Sequence, residues 1–268
     1  MYLSSSETFD LWSATKRHRR VVFALMLHNI RARFGGHGLG YLLAIAWPLV
    51  HMLIFFSTFI LAKRAAPYGD SILLFIGTGT VPFMSFSYLS RFMMMAILIT
   101  RSLLAFPEVK ILDVLLASAL LETLASCLVT INMIVIAWFV GIDFMPKDIV
   151  QAAFAFGAAL LLGLGFGLVN GVLALAVKFW ALFVQLEIVV LWLASGVAFV
   201  PDALPEAARN VLAYNPMMHV VTWMRSAYYE GYGDLLLDRS YPIAFGLGAV
   251  FLGLLLERAM RGYLLAKR

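Results

Sequence analysis

Charged side chains inside long apolar runs are the residues here with the clearest capacity for chemistry. A charge in hydrocarbon is costly and persists where it has a partner or a task. Arg91, Glu122 and Glu187 meet that description. Arg91 lies too deep in its run to face acyl chains. Either it pairs with Glu122 or Glu187, or it faces a polar conduit, where a guanidinium would suit an anionic passenger. Glu122 and Glu187 sit shallower, and a structural ion pair or a water-exposed edge explains them as well as a task does. The histidines, 18, 28, 37, 51 and 219, are scattered, and each alone reads as a hydrogen-bonded structural group rather than a ligand. Cys127 is the only cysteine, which excludes an intramolecular disulfide and a multi-thiolate metal site. Its apolar surroundings predict a buried, inert thiol. The chain contains no HExxH, no GxSxG and no GxxxxGK[ST] phosphate loop, so it does not bind and hydrolyse ATP in the usual way. An intramembrane lipid-sugar transferase would need acid, base or metal ligands at one depth, and the three intramembrane charges lack a nearby His or Asp.

The elements that must position these residues are apolar helices. Of 268 residues 63% are hydrophobic and 13% charged, about half the charge of an ordinary soluble domain. No single soluble core of this size could bury so much Leu, Ala, Val and Phe, so the surrounding solvent must be lipid. Backbone groups in lipid are satisfied within helices. The runs at 39–61, 72–99, 114–140, 149–177, 182–199 and 241–256 predict about six spans. The last extends toward residue 265, with Arg258 and Arg261 snorkelling to the interface. The net charge of +5 is better explained by basic flanks of spans than by nucleic-acid binding. With the N-terminus inside, Lys and Arg on the inner flanks outnumber those on the outer ones, so both termini are expected in the cytoplasm. No cleavable signal peptide is expected, since the basic stretch at 16–20 follows an acidic, serine-containing start.

Two stretches fit neither span nor loop. Residues 16–36 carry Phe23, Leu27, Ile30 and Phe34 at helical spacing beside Arg20 and Arg31, the pattern of an amphipathic helix in the cytoplasmic interface. Residues 200–240 are broken by Pro201, Pro205 and Pro216 yet rich in aromatics, including Tyr214, Trp223, Tyr228, Tyr229 and Tyr232. Short helices re-entering the outer leaflet suit that composition better than a plain loop.

The runs IRARFGGHGLGY (30–41), FPEVKILD (106–113), ALLETL (119–124) and NPMMHVVTWMRSAYYEGY (215–232) stand in that order. Together they resemble the membrane subunit of ABC-2 type exporters, nearest to the capsular polysaccharide export permeases of Gram-negative bacteria. The likeness runs from about residue 20 to the C-terminus. It implies an all-α membrane protein in the bacterial inner membrane. Residues 1–36 would form a cytoplasmic N-terminus with an interface helix, and 37–268 an ABC-2 type six-span transmembrane domain. It implies a homodimer working with two copies of a separate ATPase, which would bind ATP and Mg, so that no cofactor belongs to this chain. The passenger would be a lipid-linked polysaccharide, with periplasmic and outer-membrane export proteins as further partners. An O-antigen or teichoic-acid exporter would look similar.

The resemblance also assigns residues. Arg31 and Arg33, with Arg101, Phe106, Pro107, Glu108 and Lys110 of the first cytoplasmic loop, would meet the ATPase. Arg31 and Arg33 could equally pair with lipid phosphates. This loop departs from the family pattern at Thr100 and Ile111, where an Asn and a Pro are usual. The substrate path would include His51, Tyr88, Arg91, Glu122 and Glu187. The outer gate would comprise Tyr214, Asn215 as a helix N-cap, Pro216, His219 and Arg225. Its aromatics could stack on sugar rings or form a belt at the lipid interface.

Overall fold

The computed structural model describes residues 11–34, 40–106, 109–233 and 235–266. Every regular element among them is helical. The order is α1 (Leu11–Phe34), α2 (Gly40–Leu61), α3 (Ile72–Ile99), α4 (Ile111–Phe139), α5 (Ile149–Ala176), α6 (Trp180–Ala194), α7 (Glu206–Leu212), α8 (Pro216–Ser226) and α9 (Ser240–Ala266). A 3-10 turn at Arg101–Ala105 links α3 to α4.

Ile72–Ile99, Ile111–Phe139, Ile149–Ala176 and Ser240–Gly262 are long and apolar enough to cross a membrane. The chain is therefore a multi-pass α-helical membrane protein. The apolar helix α6, Trp180–Ala194, is shorter, and α2 is apolar over the described stretch Ala46–Leu61. The run expected to continue to residue 199 stops as a helix at Ala194 because the chain turns at Gly196, whose φ of 72° suits a residue without a Cβ. At the other extreme, α9 continues to Ala266, as the snorkelling argument requires. Arg258 is exposed, whereas Arg261 grips the buried Glu257 carboxylate through two bonds of 3.1 and 2.8 Å.

Local chemistry sets several helix starts. The Ser71 hydroxyl accepts from the Leu74 N–H at 3.3 Å, and the Asp148 carboxylate accepts from the Gln151 N–H at 3.0 Å. Packing then depends on α5, which lies against both α3 and α9. Gly163 and Gly167, four residues apart, share a face and admit Leu89 and Met93 of α3, while Gly165 faces Ala249 and Gly246 of α9. In lipid, close backbone approach replaces hydrophobic burial as the force between helices, and small residues permit it.

The buried side chains form two clusters. One surrounds α8 and includes Phe75, Phe86, Leu162, Val220 and Trp223; the other joins α1 to the neighbouring ends of α3, α4 and α5 through Val22, Leu25, Met93, Ile97 and Val114. The face of α1 that packs is Val22, Leu25 and Asn29, whereas Phe23 and Leu27 of the expected apolar stripe stay exposed. The helix thus packs through residues that lie off the expected stripe. Cys127 is half-buried on α4.

Candidate functional site

At the α1 end of the bundle the structure gathers four of the expected path residues into one polar seam. His51 of α2 bonds through Nδ1 to the Tyr88 hydroxyl at 2.9 Å. Tyr88 and Glu122 line one small cavity with Pro48, Met52 and Ser85. The Arg91 guanidinium lies one helical turn along α3, 5.9 Å from the Tyr88 ring centre and 5.5 Å from that of Phe92. Its Nη1 reaches the Gln185 side-chain oxygen of α6 at 3.5 Å, a long contact. Glu187, two residues further along α6, points away from Arg91, because positions i and i+2 do not share a helix face. It stands within reach of the Asn170 amide of α5 instead. Asn170 also accepts from the Trp180 indole N–H at 3.0 Å, stapling the start of α6 to α5. Gln185 and Asn170 were absent from the sequence assignment, although a lone amide in an apolar helix is a legible signal. Among the described residues no three His, Cys, Asp or Glu side chains stand together as a metal site would require.

Of the residues expected at the outer gate, Arg225 is fully buried. Its Nη1 donates to the Gly196 carbonyl at 2.7 Å, the Phe199 carbonyl at 3.3 Å and the Tyr232 hydroxyl at 3.0 Å. Its Nη2 donates to the carbonyls of Val197 at 2.6 Å and Phe75 at 3.1 Å. The guanidinium carbon lies 3.6 Å from the Phe75 ring centre. A planar fork of five N–H groups suits this, since the turn after α6 leaves carbonyls that no helix satisfies. Gly79 makes the room: a Cβ there would stand 2.8 Å from Nη2. The partners are carbonyl dipoles and phenols. Burial pushes the Tyr229 hydroxyl up to about 12 and also raises those of Tyr228 and Tyr232, so all three are neutral at ordinary pH.

Asn215 begins α8 as the spacing predicts. Its Oδ1 accepts from the Met217 N–H at 3.0 Å, while Nδ2 donates to the Ser195 hydroxyl at 3.2 Å and the Leu191 carbonyl at 3.4 Å. One side chain thus starts α8 and satisfies the end of α6. Asn215→Ala is expected to cost about 1–2 kcal/mol in thermal unfolding of the purified chain. Asn215→Asp, which keeps the cap but loses both donors, should fall between it and wild type.

His219 joins the two sides of α8. Its Nε2–H donates to the Ala213 carbonyl at 2.8 Å and its Nδ1 accepts from the Asp238 N–H at 3.1 Å, a pair of partners that selects the neutral Nε2–H tautomer. Asp238 in turn caps α9, and its bonds to the Ser240 hydroxyl and N–H hold its carboxyl below the usual range. Trp223 donates to Gln151 of α5 at 2.8 Å, and Tyr228 to the Phe144 carbonyl at 3.3 Å. Trp223, Tyr228 and Tyr232 are buried in this hub, whereas Tyr214 is exposed. Pro216 takes the first helical position, where its missing N–H costs nothing.

At the α1 end, Asp113 organises the loop expected to meet an ATPase. Its carboxylate accepts from the Lys110 N–H at 3.0 Å and stands 2.9 Å from His18 Nδ1 of α1. Phe106 is exposed, as are Arg101, Lys110 and Arg31. Pro107, Glu108 and the Arg33 side chain lie outside the described residues.

The chain is a multi-pass helical bundle with a polar seam at one end and a hydrogen-bonded hub at the other. The ABC-2 type transporter family pattern matches residues 20–229, and the chain belongs to that family. It is similar to the polysialic acid transport protein KpsM of Escherichia coli, 32% identical over 88% of this chain and 92% of that one. It is also similar to the capsule polysaccharide export inner-membrane proteins CtrC of Neisseria meningitidis serogroup B (26% identical, 90% of this chain and 94% of that one) and BexB of Haemophilus influenzae (25%, 85% and 89%).

Proposed function

We propose that this chain is the membrane-embedded permease of an exporter that moves a lipid-linked capsular polysaccharide across the bacterial inner membrane. The observation that carries the reading is similarity along nearly the whole length to polysaccharide transport and export proteins, within a transporter family. The absence of a phosphate loop from the sequence fits an engine supplied by a separate ATPase, in two copies on a homodimer of this chain. In this reading α2 and α6 complete six spans, both termini are cytoplasmic, and α1 lies in the inner interface with Phe23 and Leu27 toward lipid. The exposed Phe106, with Arg101 and Lys110 beside it, would seat in the ATPase. His18 and Asp113 would carry its movement to α1 and α4. The α8 hub would close the outer end of the conduit. Exposed α7 and Tyr214 would face periplasmic partners.

Deletion of the gene for this chain tests the reading by where the polysaccharide is found. Finished glycan accumulating inside the cell, and returning to the surface when the wild-type chain is restored, is the expected result. No glycan at all would place the chain in synthesis, and normal surface glycan would remove it from export.

A further inference from the structure

The seam opens between α3 and α6 into a cleft of about 340 Å³ lined by Arg91, Phe92, Met95, Ile99 and Gln185. Arg91, Met95 and Ile99 fall at i, i+4 and i+8, so one face of α3 forms the cleft wall from the cation to the helix end. A guanidinium has five N–H donors. The long contact to Gln185 engages one of them, and the aromatic faces of Tyr88 and Phe92 take none, so Arg91 presents donors to the cleft. Gln185, its oxygen turned to Arg91, adds an amide NH₂.

The same face of α6 carries a second feature. Leu182, Leu186, Val189 and Leu193 lie at helical spacing on the side of Gln185 and are each more than half exposed, as are Phe183 and Val190 beside them, so the apolar stripe is broad. The cationic cleft therefore stands at the head of an apolar stripe that runs from the α1 end toward the other end of the bundle. A charged head beside a fork of N–H donors with a hydrocarbon tail along such a stripe is the arrangement of an anionic lipid. Phe92, Met95 and Ile99 give the cleft apolar walls beside the cation.

We propose that this cleft binds the phosphate ester of a membrane-anchored lipid, with Arg91 and Gln185 as donors and the α6 stripe as the bed for its chain. The inference rests on the exporter reading for the identity of the occupant as substrate; phosphate recognition itself does not. The shared chemistry admits two sources, the lipid anchor of the exported glycan and a bulk anionic phospholipid.

The test is retention of phosphatidylglycerol against phosphatidylcholine by the purified full-length chain, read by native mass spectrometry. Wild type is expected to hold phosphatidylglycerol preferentially. Arg91→Gln should lower that preference about tenfold or more, as loss of a charge-assisted hydrogen bond implies. Gln185→Leu, which leaves the cation in place, should lower it by a few fold, and Arg91→Lys should retain part of it. Equal retention of the two lipids by wild type, or unchanged preference in both Arg91→Gln and Gln185→Leu, would overturn the assignment. Protein purified from glycan-producing cells and from cells unable to make the glycan's lipid anchor separates the sources. A glycolipid held in the first case identifies the substrate anchor, and phospholipid held in both identifies the bulk lipid; nothing held in either overturns the proposal. If phosphatidylglycerol retention fails the test while the deletion strain still traps glycan inside, the cleft assignment falls and the exporter reading stands. The opposite pair of results removes the exporter reading and leaves the cleft.

Discussion

Arg225→Ala is expected to leave little folded protein in the membrane, with destabilisation of about 4 kcal/mol or more. The substitution removes charge-assisted bonds worth roughly 1.5–3 kcal/mol each and leaves buried carbonyls without donors. Those of Gly196 and Val197 lie in the turn after α6, and the bond to the Phe75 carbonyl ties that turn to the start of α3 in the hub with α8. No helix end there can take over the lost donors, because the turn at Gly196 already holds the chain out of helical conformation. Arg225→Lys keeps the charge but concentrates three donors on one nitrogen, so it cannot reach both the α6 turn and α3 as the fork does. It should be intermediate. Fluorescence-detected size exclusion and a thermal melt measure the effect, and an alanine variant that melts within a few degrees of wild type would refute the clamp.

Gly165→Leu is the second substitution with a large expected effect. Even a Cβ at this position would stand 2.7 Å from the Ala249 Cβ, 3.0 Å from the Gly246 carbonyl and 3.1 Å from the Val250 nitrogen. Two of those atoms are backbone and cannot swing aside, so α9 would have to move away from α5. Overpacking of this kind costs about 1–3 kcal/mol, and leucine should lie at the upper end. Gly157→Ala and Gly248→Ala provide controls on the same two helices, since a Cβ at either position meets nothing within 4 Å. Both should be neutral or stabilising by about 0.5–1 kcal/mol, as expected for glycine in a helix interior. Equal loss of stability in the Gly165 variant and the controls would remove the close-approach explanation.

These two positions also mark the limit of what residue patterns convey. Arg91 stands out in the sequence because an apolar run surrounds it, whereas Arg225 lies in a mixed stretch and is singled out by the family resemblance rather than by its surroundings. Folding reverses that emphasis: Arg225 is fully buried with carbonyl partners from two other elements, and Arg91 is half-buried at a cleft. Asn215 was legible because capping is local, a side chain bonding to the N–H two residues on. The pairing of Arg91 with Gln185 was not, because ninety-four positions separate them and the meeting depends on how α3 and α6 are rotated. In α1 the expected stripe of Phe23, Leu27, Ile30 and Phe34 did not include the Val22, Leu25 and Asn29 face that docks on the bundle.

By itself the sequence determined that this is an α-helical membrane protein, where its long apolar helices lie, that it lacks an ATP-binding loop, and where α8 begins. Those properties follow from composition and from interactions within a few residues. The tertiary structure decided that α6 ends at Ala194, that Trp223, Tyr228 and Tyr232 form a buried hub, and that Arg91 opens onto a cleft beside an apolar stripe. The turn at Gly196 that ends α6 is local, whereas the hub and the cleft depend on helices brought within touching distance by glycines and turns far apart in the chain. Periodicity records which face of a helix avoids water. The neighbour that occupies that face is set by packing across the whole bundle.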